Sequence, residues 1–481
     1  MRKLVVAALG AAALTAATSA AAFTPLDPLS SRQWYLTQDR AFDYWTAPED
    51  AALAPVKVAV IDSGIDGHHP DLAAKVVAAR SFVGGSPYRD RQGHGTFVAG
   101  VIAASLDNGE GIAGIAFNAQ LVVAKVVKPN GSVPLGAEVA AIRWAADQGA
   151  RVINLSLGGV RDPLDPDKDT YSPLEAAAVQ YAFAKGAVVV AAVGNGPQSP
   201  STPWPYAHYP AALPHVVGVG ALGRNGDVPA FSNRDSVYVD IAAPGTGIVS
   251  TFPLALTAET PSCAEQGYSI CAPESFRPEG TSFAAPQVAA AAALVLGVRP
   301  DLTSEQVVEL LERTADDVRP VTGCSRCAPG RDRFSGWGRL DIFNALTEAA
   351  ASQPARDRFE PNDDAGAQAF RLYGRGRTLS ATIDYWDDQI DVYAVRIARG
   401  QRLFARLSSS PGAAAKLLLW KPETETVEGL AAPTAARAAQ SSHVGVQERL
   451  SYSARAAGWY YLEVVTERPG SGTYTLSYAK A

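Results

Sequence analysis

The sequence predicts an α/β domain built on a doubly wound, mostly parallel sheet, followed by a smaller all-β sandwich. Three observations lead there. Short runs rich in β-branched residues alternate with helix-length segments through the first two thirds of the chain. Past residue 351 the pattern changes to brief apolar alternations separated by Gly and Pro. The length of 481 residues also exceeds what one hydrophobic core ordinarily fills.

Taken in order, residues 1–22 read as an export signal. Arg2 and Lys3 give a positive start, 4–17 is an alanine-rich apolar run, and Ala20, Ala21 and Ala22 supply small residues for cleavage. That run is too short for a good membrane span, and no later stretch reads as one, so no membrane partner is expected. Strands are expected at 56–61, 120–127, 152–157, 187–193 and 216–220, with helices at 93–104, 136–149 and 174–185. Strands alternating with helices imply a parallel sheet covered on both faces. A dense Ala/Val/Leu run at 282–296 reads as a buried helix. A polar stretch with Pro354 and Pro361 separates a domain at 23–352 from a tail at 359–481, with 353–358 as the linker. In the tail, 390–397, 402–407, 416–420, 460–465 and 473–478 alternate as strands of an antiparallel sandwich.

The formal net charge of −6 leaves no basic stripe for nucleic acid, and a monomer is expected. Export also governs the four cysteines, Cys263, Cys271, Cys324 and Cys327. In an oxidising compartment they suggest two disulfides, most simply Cys263–Cys271 and Cys324–Cys327, although spacing alone does not fix the pairing. A four-thiolate zinc site is the rival, because Cys324 and Cys327 are spaced like ligands.

Three segments carry chemistry. Val-Ala-Val-Ile-Asp-Ser-Gly at 58–64 puts Asp62 where a buried strand runs out. Gly-His-Gly-Thr-Phe-Val-Ala-Gly at 93–100 puts His94 at the start of a small-residue helix, and Gly-Thr-Ser-Phe-Ala-Ala-Pro at 280–286 does the same for Ser282. Strand C-termini and helix N-termini are where open α/β sheets build sites. A serine hydroxyl needs a base to take its proton, neutral imidazole suits that task, and a carboxylate holds the ring in the useful tautomer.

These motifs resemble those of the subtilisin-like serine proteases, over roughly residues 23–350. The order Asp, His, Ser is the one known for subtilisin itself. Supporting segments fall in sequence: Asn-Leu-Ser-Leu-Gly-Gly at 154–159, Ala-Ala-Val-Gly-Asn at 191–195, Ala-Ala-Pro-Gly at 242–245 and Gly-Trp-Gly-Arg-Leu-Asp at 336–341. The resemblance implies a secreted endopeptidase acting on proteins and peptides, with Asn195 and the Ser282 N–H as oxyanion donors. Substrate would add as a strand between Ser156, Leu157 and Gly158 on one side and Gly131, Ser132 and Val133 on the other. Ala192, Val193 and Gly194 would wall the S1 pocket with 156–159. The glycine-rich wall lacks acidic residues and so favours broad cleavage after apolar or large residues. A narrow processing protease, or a binding protein on a protease scaffold, are the alternatives.

The chain also departs from the family pattern. Phe97 stands where a second histidine is common, and Phe283 follows the serine where many relatives carry methionine. The Phe-Thr-Pro-Leu-Asp-Pro segment at 23–28 resembles a mature thermitase-like start, which implies folding without an N-terminal prodomain. The same resemblance implies structural Ca²⁺. Asp27, Asp71 and Asn108 would offer side-chain oxygens, and Leu106, Glu110 and Ile112 carbonyls, a hard oxygen set suited to that ion. The tail resembles the bacterial pre-peptidase C-terminal domain through 359–363, 388–393 and 472–476. There Glu360, Asn362, Asp363, Asp388 and Asp391 resemble calcium ligands. Trp459, Tyr460 and Tyr461 read as core by strand alternation, or as a substrate grip if exposed.

Overall fold

The computed structural model describes residues 23–46, 53–351, 357–386, 388–427, 434–442 and 444–481. The export signal and most of the expected linker lie outside these residues. Seven strands form the first sheet: β1 (Val56–Asp62), β2 (Val76–Ser81), β3 (Ala119–Lys125), β4 (Val152–Leu155), β5 (Val188–Ala192), β6 (Val216–Leu222) and β7 (Ile241–Pro244). Their order is β2-β3-β1-β4-β5-β6-β7 and every pairing is parallel. The inner strands are buried on both faces, which is why Val, Ile and Ala fill them without alternation.

Eight helices accompany the sheet among the described residues: α1 (Trp34–Gln38), α2 (His94–Ala103), α3 (Leu135–Asp147), α4 (Pro173–Ala184), α5 (Leu254–Thr257), α6 (Thr281–Val298), α7 (Ser304–Arg313) and α8 (Ile342–Ala350). One core packs α2, α6, α7 and α8 on one face of the sheet, and a second packs α3 and α4 on the other. The helix α6 is long and apolar enough to cross a bilayer, contrary to the expectation that no later stretch qualifies. However, 89% of it is buried inside the domain, so its apolarity serves the core.

Pro286 sits inside α6, where a missing N–H would orphan the carbonyl four residues back, that of Ser282. The Ser156 hydroxyl donates to that carbonyl at 2.7 Å. The proline thus ties the start of α6 to the segment following β4.

Nine further strands form two sheets. β8 (Phe370–Leu372), β10 (Ile390–Ile397), β12 (Lys416–Trp420), β13 (Arg437–Gln440) and β15 (Gly458–Val465) make one; β9 (Gly376–Asp384), β11 (Arg402–Ser409), β14 (Gln447–Ser453) and β16 (Ser471–Lys480) make the other. Inward residues of both, including Leu379, Tyr393, Leu403, Leu462 and Leu476, share one core, which makes the unit a sandwich. Tyr460 and Tyr461 are buried, so they belong to the packing and offer no substrate grip. Disulfides join Cys263 to Cys271 and Cys324 to Cys327. Both pairs of thiols are thereby consumed, which removes the zinc reading.

Candidate active site

Asp62 ends β1, and the parallel ladder continues beside it, so its carboxylate emerges at the strand's C-terminal edge. It is buried, and both its oxygens lie 2.9 Å from His94 Nδ1. A carboxylate on Nδ1 leaves Nε2 as the working nitrogen. Burial pulls the His94 pKa down, but the charge and hydrogen bond of Asp62 outweigh it, with Asp90 adding to the effect, so the net shift is upward. The imidazole side chain remains 28% exposed, open to a reactant.

Asp90 is a functional residue that sequence reading missed. Its buried carboxylate accepts from the N–H groups of Gln92, Gly93 and Thr96 and from the hydroxyls of Ser63 and Thr96. It satisfies the open amino end of α2 from outside the helix, as a cap does. Ser63 completes the link by accepting from Gly95 N–H at 2.9 Å. An acidic residue a few positions before a helix-opening Gly-His pair was the available signal. Lys125, at the end of β3, donates to the Ser63 and Arg89 carbonyls and so fixes the same corner.

Ser282 occupies the first turn of α6, half-buried. Its hydroxyl donates to the Ser156 carbonyl at 3.2 Å rather than to His94 Nε2. The structure thus brings Asp62 and His94 into contact and sets Ser282 on the adjoining helix end with its hydroxyl turned aside.

Asn195 follows β5. Its side-chain oxygen accepts from Thr281 N–H at 3.0 Å and from the Thr281 hydroxyl at 3.2 Å. A backbone N–H only donates, so the atom facing it must be the amide oxygen, which leaves the NH₂ group pointing away. One of its hydrogens faces Gln198 Oε1 at 3.4 Å. The side-chain amide is therefore fixed as a donor beside Ser282.

Ser156, Leu157 and Gly158 run on past the last paired residue of β4. Ala192, Val193 and Gly194 are buried beside them. Gly194 adopts φ +95°, and a Cβ there would come within 2.5 Å of the His208 ring, so glycine is required. His208 is buried, holds Ser199 Oγ at 2.8 Å, and burial lowers its pKa to about 4. Gly131 and Ser132 lie on an exposed turn next to Val133, where Asn130 accepts from the Ser132 N–H and hydroxyl.

The residues expected to hold calcium converge. Asp27 is buried and accepts from Asp107 N–H through Oδ2, while its Oδ1 has no hydrogen-bond partner among the described residues. Burial raises its pKa. Asp71 is fully buried, held by Asn108 Nδ2 at 2.7 Å, by Ile112 N–H and by the Tyr268 hydroxyl at 3.0 Å. Asn108 Oδ1 accepts from Glu110 N–H, so its amide nitrogen faces the acidic pair, not the oxygen expected of a ligand. A buried carboxylate oxygen without a donor is what a cation-binding loop offers, and the Asp27 and Asp71 carboxylates are hard oxygen donors of the kind Ca²⁺ takes.

A model of the Subtilase family, peptidase S8, matches residues 54–338. Thermitase of Thermoactinomyces vulgaris is 36% identical over 327 residues, covering 67% of this chain and 99% of that protein. Subtilisin DY of Bacillus licheniformis is 40% identical over 266 residues, 55% of this chain and 85% of that protein. Among solved structures, a protease from Pseudoalteromonas arctica superposes with a TM-score of 0.54 at 28% identity, covering 68% of this chain and 100% of the other. A lanthipeptide protease gives 0.55 at 26%, with 68% and 99% covered. Together with the parallel sheet and the Asp62–His94 contact at its edge, these matches place the chain in the Subtilase family of serine endopeptidases.

Proposed function

We propose that the chain is a secreted endopeptidase of broad specificity in which Ser282 is the nucleophile, His94 the base and Asp62 the residue that orients the base. The observation that carries this reading is the doubly contacted His94 Nδ1, which leaves Nε2 free of Asp62, with the ring 5.3 Å from Phe283, the residue that follows Ser282. In this reading the Ser282 hydroxyl leaves the Ser156 carbonyl for Nε2 when substrate binds, as catalytic hydrogen bonds often form or tighten only in the complex.

The extended substrate lies against Ser156–Gly158 and Gly131–Val133, with its side chain in the pocket walled by Ala192, Val193 and Gly194. Ser282 Oγ attacks the scissile carbonyl carbon while its proton passes to His94 Nε2. The carbonyl oxygen, now negative, accepts from Asn195 Nδ2 and the Ser282 N–H. Collapse breaks the C–N bond, the leaving amine takes the proton from His94, and an ester remains on Ser282. Water, activated by the same nitrogen, releases the carboxylic acid and restores the serine.

Calcium held by Asp27, Asp71 and the 106–112 loop would neutralise two buried carboxylates and brace the amino-terminal segment. A second cation fits the tail, which we take as a separate module spanning 359–481. Ligand atoms of Glu360, Asp363 and Asp388 lie within 4.8 Å of one another, and the Asn362 and Asp388 Oδ1 atoms are buried with no donor among the described residues.

The test is casein hydrolysis by the protein beside Ser282→Ala, with and without a serine-directed sulfonyl fluoride. The reading predicts activity in the untreated parent alone. Activity in the folded variant overturns it.

A further inference from the structure

The segment 253–279, which carries the Cys263–Cys271 bridge, has no catalytic part in the reading above, yet it touches two places that the reading uses. On one side Tyr268 donates to Asp71 Oδ2 at 3.0 Å, and His69 Nε2 meets the Gly267 carbonyl at 2.6 Å. The same Gly267 carbonyl accepts from Phe252 N–H at 2.6 Å, and Ser269 N–H bonds the Ser250 carbonyl. The segment is therefore anchored at its middle to buried polar groups, and its bridge limits how far that middle can move.

On the other side it ends in Phe276, which is half-buried. Phe276 packs against Phe252 (ring centroids 4.6 Å apart), Phe97 (5.4 Å) and Phe283 (5.9 Å). Phe97 and Phe283 lie 4.2 Å apart, and Phe283 lies 5.3 Å from the His94 ring. Phe252 in turn packs on Gly93, whose φ is +83° and where an added Cβ would come within 2.3 Å of that ring, so no side chain fits. A continuous aromatic wall thus runs from the disulfide-bearing segment to the flank of His94 that Asp62 does not hold. Asp62 sets the ring's distance, but both of its contacts fall on Nδ1, and a ring held at one atom remains free to tilt. The wall removes that freedom.

We propose that Phe276, which follows the bridged loop 263–271, is a positioning residue for His94, acting through Phe283 and Phe97. The proposal rests on His94 being the base. The two departures from the family pattern, phenylalanine at 97 and at 283, then have a shared purpose, because each supplies a face that Phe276 closes. The effect belongs in turnover rather than in substrate binding, since a tilted base misses the proton in the transition state without altering the substrate cleft.

The test compares Phe276→Ala, Phe276→Leu and Cys263→Ser/Cys271→Ser with the parent enzyme on a chromogenic peptide, measuring kcat, KM, the pH profile and Tm. His94→Ala is run alongside. The proposal predicts that Phe276→Ala lowers kcat about tenfold, leaves KM within about twofold, and moves the acid limb of the kcat profile. Leucine, which refills the space, should restore most of the turnover, and the double serine variant should resemble alanine. A lower Tm with kcat and acid limb unchanged would show that Phe276 only packs, and would overturn the proposal while leaving the role of His94 intact. Parental activity in His94→Ala would instead overturn the reading beneath it.

Discussion

Asn195 is held by its oxygen, and the proposed oxyanion donor is the other end of the same group. Thr281 donates to the oxygen twice, so the orientation of the amide is set before any substrate arrives. Asn195→Ala should lower kcat by about 10²–10³ with little change in KM, the cost of losing one oxyanion donor, a magnitude itself established on subtilisin. Single-substrate kinetics on a peptide anilide decide it. The two histidines near the site respond to pH in opposite senses. His94 has its pKa raised above 6.5, so its working neutral form is lost as pH falls through that raised value, and activity should decline along one acid limb there. His208 is the reverse case, buried and lowered to about 4. Between pH 6.5 and 4 the unfolded chain binds a proton that the native chain refuses, so stability falls as pH drops through that window. The loss is on the order of 3 kcal/mol. Urea unfolding at pH 7 and pH 4 should show most of it, and His208→Gln should flatten the difference. Of these residues, Asp62, His94, Ser282 and Asn195 were legible because each sits in a short motif with its own glycines. Asp90 and Thr281 were not, since their roles are hydrogen bonds set by chain reversal rather than by spacing.

Helix α7 illustrates what local chemistry can say. Thr303 accepts from Gln306 N–H at 3.2 Å, and the Gln306 side chain accepts from Thr303 N–H at 2.9 Å, a reciprocal cap. Thr303→Ala should cost about 1 kcal/mol, read as a lowered urea midpoint at unchanged slope. That signature is visible in the sequence, and its amphipathic run marks a helix that the strand-and-helix alternation alone passes over. Strand β11 shows the expected alternation, exposed and buried by turns, whereas β10 and β12 keep the expected bounds but are buried almost throughout, because Val392, Ala394, Leu418 and Trp420 pack in a second cluster on their outer face. By contrast β2, with its mixed Val-Val-Ala-Ala-Arg-Ser at the sheet edge, lacks either the continuous apolar run or a clean alternation. Its pairing depends on β3 offering an edge, and no property of β2 by itself announces that.

At the scale of the molecule, the sheet order could not be read from the sequence, although parallel pairing could. Sequential strands β4 to β7 lie side by side, but β1 sits between β3 and β4, an arrangement chosen by which edges remain open after the crossovers are made. That arrangement draws the end of β1 and the starts of α2 and α6 to one edge, which is why Asp62 and His94 touch and Ser282 lies on the adjoining helix end. It also folds the amino-terminal Asp27 onto the 106–112 loop, far from it in sequence. If Ca²⁺ occupies that junction, a chelator should lower Tm. Ion at about a hundredfold over its Kd contributes about 2.7 kcal/mol to folding. Asp27→Asn and Asp71→Asn should each blunt that chelator response, and an unchanged Tm in excess chelator would remove calcium from the account.

The most direct test of the central claim is mass spectrometry of the protein after reaction with a serine-directed sulfonyl or phosphonyl fluoride. The account predicts one adduct per chain, carried by the peptide containing Ser282, appearing in step with loss of peptidase activity and absent from His94→Ala. An adduct on another residue, or full activity with Ser282 modified, would contradict it.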